Sequence, residues 1–484
     1  MTFGTITAIL VSIVLILNII LAGFVLFLER RDASATWAWL LVLFFIPVVG
    51  FILYLIFGQN LSRKKIFEWK DTNKIGIMDI TKYQIELLEK GEFPFKDNKT
   101  AQYKDLIYML LFHDRAVFTQ DNHVEIFTDG NDKFQTLIED IKSAKDHVHV
   151  EYYIIRNDEL GKKLLEVLIE KAKEGVEVRV LFDAMGSRRL GRNFFKPLIE
   201  VGGHASAFFP AILPHLNLQV NYRNHRKIVV IDGAIGYVGG FNIGDEYLGL
   251  NKKFGYWRDT HLKICGNAVY ALQTRFILDW NQASTHKISY AERLFPKLEV
   301  LGETDIQIVS SGPDSEWQQI KYGMLKIISS AKKYIYIQTP YFIPDASVLD
   351  ALKIAALSGI DVRLMIPNKP DHPFVYWATY SHVGELLKTG GKVYIYENGF
   401  IHAKTMIADG KIATVGTANI DLRSFRLNFE VNAFLYDQAL VEELVNIFGN
   451  DMEKSRELTM EEYKNRSLGI RFKESISRLL SPIL

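Results

Sequence analysis

The sequence predicts an α/β protein. Two pseudo-twofold-related α/β halves share one active-site cleft, and a two-helix transmembrane hairpin precedes them. Three observations lead there. Two uncharged apolar stretches open the chain, Ile6 to Leu28 and Trp37 to Phe57. A block alternating strand-like and helix-like stretches then occurs twice. Each copy carries the phrase His-x-Lys-x-x-x-x-Asp, at His225 to Asp232 and at His402 to Asp409. The expected units are a hairpin over 1–60 (spans 6–28 and 37–57), a charged amphipathic connector over 61–112, a first half over 113–298 and a second over 299–484.

The two opening stretches run to about 23 and about 21 residues, and a helix of about 20 crosses a bilayer core. Trp37, Trp39 and Tyr54 lie near the ends of the second, where rings favour the interface. Pro47 and Gly50 interrupt it, which membrane helices tolerate. A cleaved signal peptide fits less well, because there is no basic leader and a second span follows. Arg30 and Arg31 lie between the spans, whereas Arg63, Lys64, Lys65, Lys70 and Lys74 follow the second. The positive-inside rule then puts both termini, and the catalytic halves, on the cytoplasmic face of the cell membrane. The connector reads equally as a segment resting on anionic headgroups or as a solvated linker.

The repeat extends well beyond its central phrase. Ser143 to Val150 matches Ser330 to Ile337, each a helix end running into an alternating strand. A helix follows in each copy, over Leu160 to Glu174 and Ser347 to Ser358. Another strand comes next, ending at Phe182 and Ile366. A further helix stops at Gly202-Gly203 and at Gly390-Gly391. Such alternation implies substantial parallel pairing. The first copy alone has the apolar, proline-bounded insertion Pro210 to Leu218, expected near the site mouth or packed on its own domain. Tyr376, Trp377 and Tyr380 form an aromatic group that either lines an entrance or fills core.

The central phrase has a chemical logic. His and Lys two apart on a strand share a face. The apolar run behind each Lys reads as buried strand, and Asp232-Gly233 or Asp409-Gly410 closes a tight hairpin. The return strand brings Asn242 or Asn419 back beside the His, 17 residues after it in both copies. An imidazole, an ammonium and a carboxamide can thus converge on one phosphate. Asp232 and Asp409, although part of the phrase, sit at the turn and suit orientation better than proton transfer.

Composition excludes other classes. The 484 residues carry a net charge of +1 with no long basic run, which argues against nucleic acid as a partner. Cys265 is the single cysteine, so no internal disulfide forms, and the sequence has no Cys/His cluster with zinc spacing.

The two phrases resemble the paired motifs of the phospholipase D superfamily. Together with the twin apolar start, they are similar to those of the bacterial cardiolipin synthases. The likeness covers nearly the whole chain. One departure is visible: the Gly-Ser common in the superfamily before the Asn is Gly239-Gly240 in the first copy and Gly416-Thr417 in the second. The resemblance implies two phospholipase D-like halves and a phosphatidyl transfer between two phosphatidylglycerols through a phosphohistidine. The products are cardiolipin and glycerol. It implies His225 as nucleophile and His402 as acid/base, with Lys227, Lys404, Asn242 and Asn419 on the phosphate. Asp259 and Glu430 become candidates to orient the histidines, and Arg258, Arg423 and Arg426 to meet an anionic headgroup. No cofactor or metal ion is expected, since the lysines supply positive charge. A membrane-bound phospholipase D releasing phosphatidate is the alternative enzyme. A nucleic-acid phosphodiesterase and a catalytically dead membrane scaffold fit less well. The sequence carries no signal for oligomeric state.

Overall fold

The computed structural model describes residues 3–27, 33–46, 48–50, 54, 67, 72–210, 221–298 and 302–480. In the first half the strands are β1 (Phe118–Phe127), β2 (His147–Tyr152), β3 (Glu177–Asp183), β4 (His204–Phe208), β5 (Arg223–Asn224), β6 (Ile228–Ile231), β7 (Ile235–Gly239), β8 (Trp257–Arg258) and β9 (His261–Cys265). The second half has β10 (Thr304–Ser311), β11 (Tyr334–Gln338), β12 (Phe342–Ile343), β13 (Asp361–Pro367), β14 (Lys392–Tyr396), β15 (Phe400–Ile401), β16 (Thr405–Ala408), β17 (Ile412–Gly416), β18 (Ile420–Asp421), β19 (Asn428–Leu435) and β20 (Ser455–Glu457).

The halves are joined into one continuous sheet. Its order is β20-β14-β13-β11-β16-β17-β19-β10-β1-β9-β7-β6-β2-β3-β4. Read outward from the antiparallel β1–β10 pair, the two sides match strand for strand, with β20 as an extra edge. The expected parallel pairing is present in β2–β3–β4 and β11–β13–β14, while the strands bearing the motif pair antiparallel. Helices Glu159–Lys173 and Ala346–Leu357 lie within a residue of their expected bounds. Residues from both halves, such as Ile228, Leu262, Ile407 and Val431, pack into one buried cluster. A core shared in this way leaves neither half a closed unit.

Strand β2 reads His-Val-His-Val and is buried throughout. Burial lowers the His147 pKa and takes His149 down to about 3. The two rings are therefore neutral core groups, placed where β11 has Tyr334 and Tyr336.

Helix Phe3–Phe27 packs against helix Ala33–Phe45, and Asn18 donates to the Leu43 carbonyl at 3.2 Å. Among the described residues no helix is long and apolar enough to cross a membrane. In the first helix, side chains are described without a gap only over 12–23. The second predicted span, Trp37 to Phe57, is described in part. Its helix ends at Phe45, and residues 48–50 are helical again. Most of the 210–218 insertion, and much of the connector before residue 72, lie outside the described residues.

Candidate active site

Each motif folds as a hairpin whose turn is built from its Asp-Gly. Asp232 and Gly233 have φ of 51° and 65°, and Asp409 and Gly410 have 55° and 65°. Ala234 N–H donates to the Ile231 carbonyl, and Lys411 to that of Ala408. Two left-handed residues inside such a bond make a type I′ turn, which Asp-Gly favours. The Asp side chains do a second task. Asp232 accepts from the backbone N–H of Lys145, Asp146 and His147 at 2.8, 2.8 and 2.9 Å. Asp409 repeats this with Lys332, Lys333 and Tyr334 at 2.7, 2.8 and 2.9 Å. Both carboxylates thus bind the turn to the start of β2 or β11, at the far end of the motif strand from the His.

At the other end, the halves exchange strands. β5, just before His225, pairs in parallel with the start of β19, matching Asn224 with Phe429. β15, just before His402, pairs in parallel with β8, matching Ile401 with Arg258. One residue further along, each His stands beside a carboxylate of the opposite half. His225 N–H donates to the Phe429 carbonyl at 2.9 Å, and His402 N–H to that of Arg258 at 2.7 Å. His225 Nδ1 lies 3.1 and 2.9 Å from the Glu430 oxygens. His402 Nδ1 lies 2.6 Å from Asp259 Oδ2. A carboxylate on Nδ1 accepts a hydrogen bond from that N–H and so leaves the neutral ring's lone pair on Nε2.

The lysines complete the cluster. Lys227 Nζ donates to the His225 carbonyl at 2.6 Å. Lys404 Nζ donates to the His402 carbonyl and sits 2.9 and 3.1 Å from the ring nitrogens. All six of these side chains are buried. Burial takes Lys227 down to about 7, with Glu430 opposing and Lys404 adding to the fall. It takes Lys404 to about 8, against the pull of Asp259 and Glu430. His225 falls to about 4 through burial, partly offset by Glu430. His402 is lowered by burial and Lys404. Burial pushes Asp259 and Glu430 up, yet the facing His and Lys groups hold both below the ordinary carboxylate range. Each His feels the lysine of the other half, so the two motifs form one electrostatic unit.

The asparagines differ between the halves. Asn242 Oδ1 accepts from Ile154 N–H at 3.1 Å, and its Nδ2 donates to Tyr247 OH at 3.2 Å. Asn419 is buried with no hydrogen bond to Oδ1 among the described residues, and its backbone N–H donates to Ser424 Oγ. The Gly-Gly departure has a steric reason. A Cβ on Gly240 would stand 1.9 Å from Asp259 Oδ1. At the matching place, the Thr417 hydroxyl accepts from Val431 N–H at 2.9 Å.

Of the headgroup candidates, Arg258 needs correction. It is buried, with Nη2 2.8 Å from Asp451, because an ionised group there needs a partner. Arg423 is half-buried, donating to the Asn221 carbonyl at 3.0 Å, and Arg426 is exposed. Asp371, in the loop before helix Pro373–Leu387, accepts from Tyr341 OH, and its field reaches Lys404. Sequence reasoning missed Arg226. Strand alternation points it away from the His–Lys face and into the core. There it forms a two-oxygen pair with Asp279 at 2.9 and 2.8 Å and donates to the Glu430 carbonyl at 3.1 Å. Asn224, on the other side of His225, donates to Glu151 at 2.6 Å. A charge on the core face of an apolar strand was the available signal. Among the described residues, no group of three His, Cys, Asp or Glu side chains is placed to hold a metal ion.

Comparisons with known proteins fit this geometry. The family described as "Cardiolipin synthase, PLD-like domain" matches residues 137–277 and 324–452, and "Phospholipase_D-nuclease N-terminal" matches 16–59. The chain is 64% identical over 481 residues to the major cardiolipin synthase ClsA of Bacillus subtilis, covering 99% of this chain and 100% of that one. It is 62% identical over 478 residues to a cardiolipin synthase of Listeria monocytogenes, covering 99% of both. Among solved structures, a phosphatidylserine synthase of Haemophilus influenzae superimposes with a TM-score of 0.61 at 16% identity, covering 80% of this chain and 100% of that one. That last likeness concerns the fold alone.

Proposed function

This chain belongs to the cardiolipin synthase family of the phospholipase D superfamily, a phosphatidyltransferase family, and from that premise we propose that its two crossed His–carboxylate pairs perform a two-step phosphatidyl transfer. The exchange that sets each His on the other half's carboxylate carries the reading. His225 Nε2 attacks the phosphorus of one phosphatidylglycerol. The bond to the glycerol oxygen breaks, and His402 gives that oxygen its proton. A hydroxyl of a second phosphatidylglycerol, deprotonated by His402, then attacks phosphorus and releases His225. Cardiolipin and glycerol result. Lys227 and Lys404 hold the non-bridging oxygens, with Asn242 and Asn419 beside them. Asp232 and Asp409 act through the turns they bind.

The test is product analysis with phosphatidylglycerol as sole lipid and a chelator present. Cardiolipin and glycerol in equal amounts are expected. Phosphatidate without cardiolipin would make the protein a hydrolase.

The same reading sets a pH dependence. His225 must be neutral to attack, and its pKa near 4 leaves it so at pH 7. The lysines must be charged, and they lose their protons as pH rises through about 7 and about 8. His402 must start protonated, and its lowered pKa pulls the same limb toward acid. kcat/KM should therefore fall as pH rises through this range. Bound phosphate recharges the lysines, so the limb in kcat should lie higher. A kcat/KM still climbing toward about pH 9 would sink the lysine assignment.

The amino-terminal helices are read as a two-span membrane anchor with the catalytic halves on the cytoplasmic side. Their uncharged composition and the basic residues after the second stretch support this.

A further inference from the structure

Helix Leu468–Leu480 follows a capping box at Thr459 and Glu462 and packs beside helix Pro373–Leu387. Its orientation is inverted for a soluble surface helix. Glu474 and Ser477 are buried, at 4% and 1% exposure, with Glu474 held by Arg466 at 2.8 Å. The apolar residues face outward instead: Leu468 is 82% exposed, Phe472 69% and Leu479 75%. With 3.6 residues per turn, Leu468, Phe472, Ile476 and Leu479 form one stripe, opposite Glu474 and Ser477. Arg471 and Arg478 flank one side of the stripe and Lys473 the other, all exposed. Lys473 Nζ lies 5.4 Å from the Trp377 ring, and Phe374, one turn before Trp377, is also exposed. The loop ahead of that helix carries Asp371, whose field reaches Lys404, so helix Pro373–Leu387 stands between the inverted helix and the cleft.

We propose that helix Leu468–Leu480 lies in the surface of an anionic bilayer, its stripe in the headgroup–acyl boundary, and so holds the cleft mouth against the lipid. An amphipathic helix flanked by cations binds such a surface through apolar burial plus attraction to anionic headgroups. Long basic side chains reach up to the phosphates while their stems stay apolar. A second copy of the chain is a poorer occupant, because a twofold contact would set the same arginines and lysine against one another. The inference rests on the reading that the substrate is an anionic lipid, but it is a separate claim about this helix.

The experiment uses the full chain in nanodiscs of phosphatidylglycerol and phosphatidylcholine, in a Cys265→Ser background. A spin label at Phe472→Cys is compared with one at the exposed Glu461→Cys. The label at 472 should collide more with oxygen and less with a water-soluble nickel chelate than the label at 461. Equal nickel access at both sites, or dipolar broadening between copies at 472, would overturn the proposal. Phe472→Ser with Leu479→Ser should lower cardiolipin formation on bilayers by about tenfold or more. Its rate on monomeric short-chain phosphatidylglycerol should be unchanged. Equal loss on both substrates would mean that the helix is structural only. No cardiolipin from the unsubstituted chain on either substrate would count against the transferase reading, while the labels still report on docking.

Discussion

His225→Ala and His402→Ala should each remove nearly all cardiolipin formation, since acid–base assistance alone is worth about 10²- to 10⁴-fold. The two losses should differ in kind. A phosphodiester whose leaving group is p-nitrophenolate needs no proton on departure. With that substrate His402→Ala should still give a burst of p-nitrophenolate and leave phosphorus on His225. His225→Ala should give neither. Both rings are buried beside carboxylates, so circular dichroism should accompany each variant to show that the fold persists. Phosphorus on His402, with none on His225, would reverse the roles.

The second large effect crosses the halves. Glu430→Gln changes the second half yet should disable the histidine of the first, because Glu430 is the carboxylate on His225 Nδ1. Asp259→Asn should in turn disable His402. Losing the charge of such a carboxylate while keeping its shape lets the amide present the wrong hydrogen-bonding group and upset the tautomer. In a Ser-His-Asp triad that costs about 10⁴-fold, and a loss approaching this is expected in each variant. The p-nitrophenyl substrate separates them: Glu430→Gln should lose the burst, and Asp259→Asn should keep it. The opposite pattern would mean that the carboxylates do not serve the rings they touch.

Arg226 braces the chain beside His225. Its guanidinium ties the strand after the histidine to Asp279 in its own half and to the Glu430 carbonyl in the other. The second half has Ala403 at that place, and its buried arginine, Arg258, comes from the first half to meet Asp451. The halves repeat the His–Lys face but not the support behind it. A comparison of the motifs shows the change from Arg226 to Ala403 but not the partners Asp279 and Asp451.

What the sequence determined by itself was whatever lies within one strand or one hairpin. His225 and Lys227 share a face because strand side chains alternate, and Asp232-Gly233 turns the chain because that pair tolerates two left-handed residues. The same rules, applied twice, predicted the repeat and its α/β class. Tertiary structure alone decided the partners. Glu430 is 205 positions from His225, and Asp259 is 143 from His402. No local spacing rule acts over such separations. The pairs exist because one sheet runs through both halves and the short strands before each histidine cross to the other side. Arg258 was legible as a cation but not as a buried one, since burial depends on which strand lies over it. Likewise, the basic residues set among apolar ones over Ile470 to Leu484 left open a stretch lying on the membrane or a packed terminal helix. Only its packing on helix Pro373–Leu387 decided that the polar face is the one turned inward.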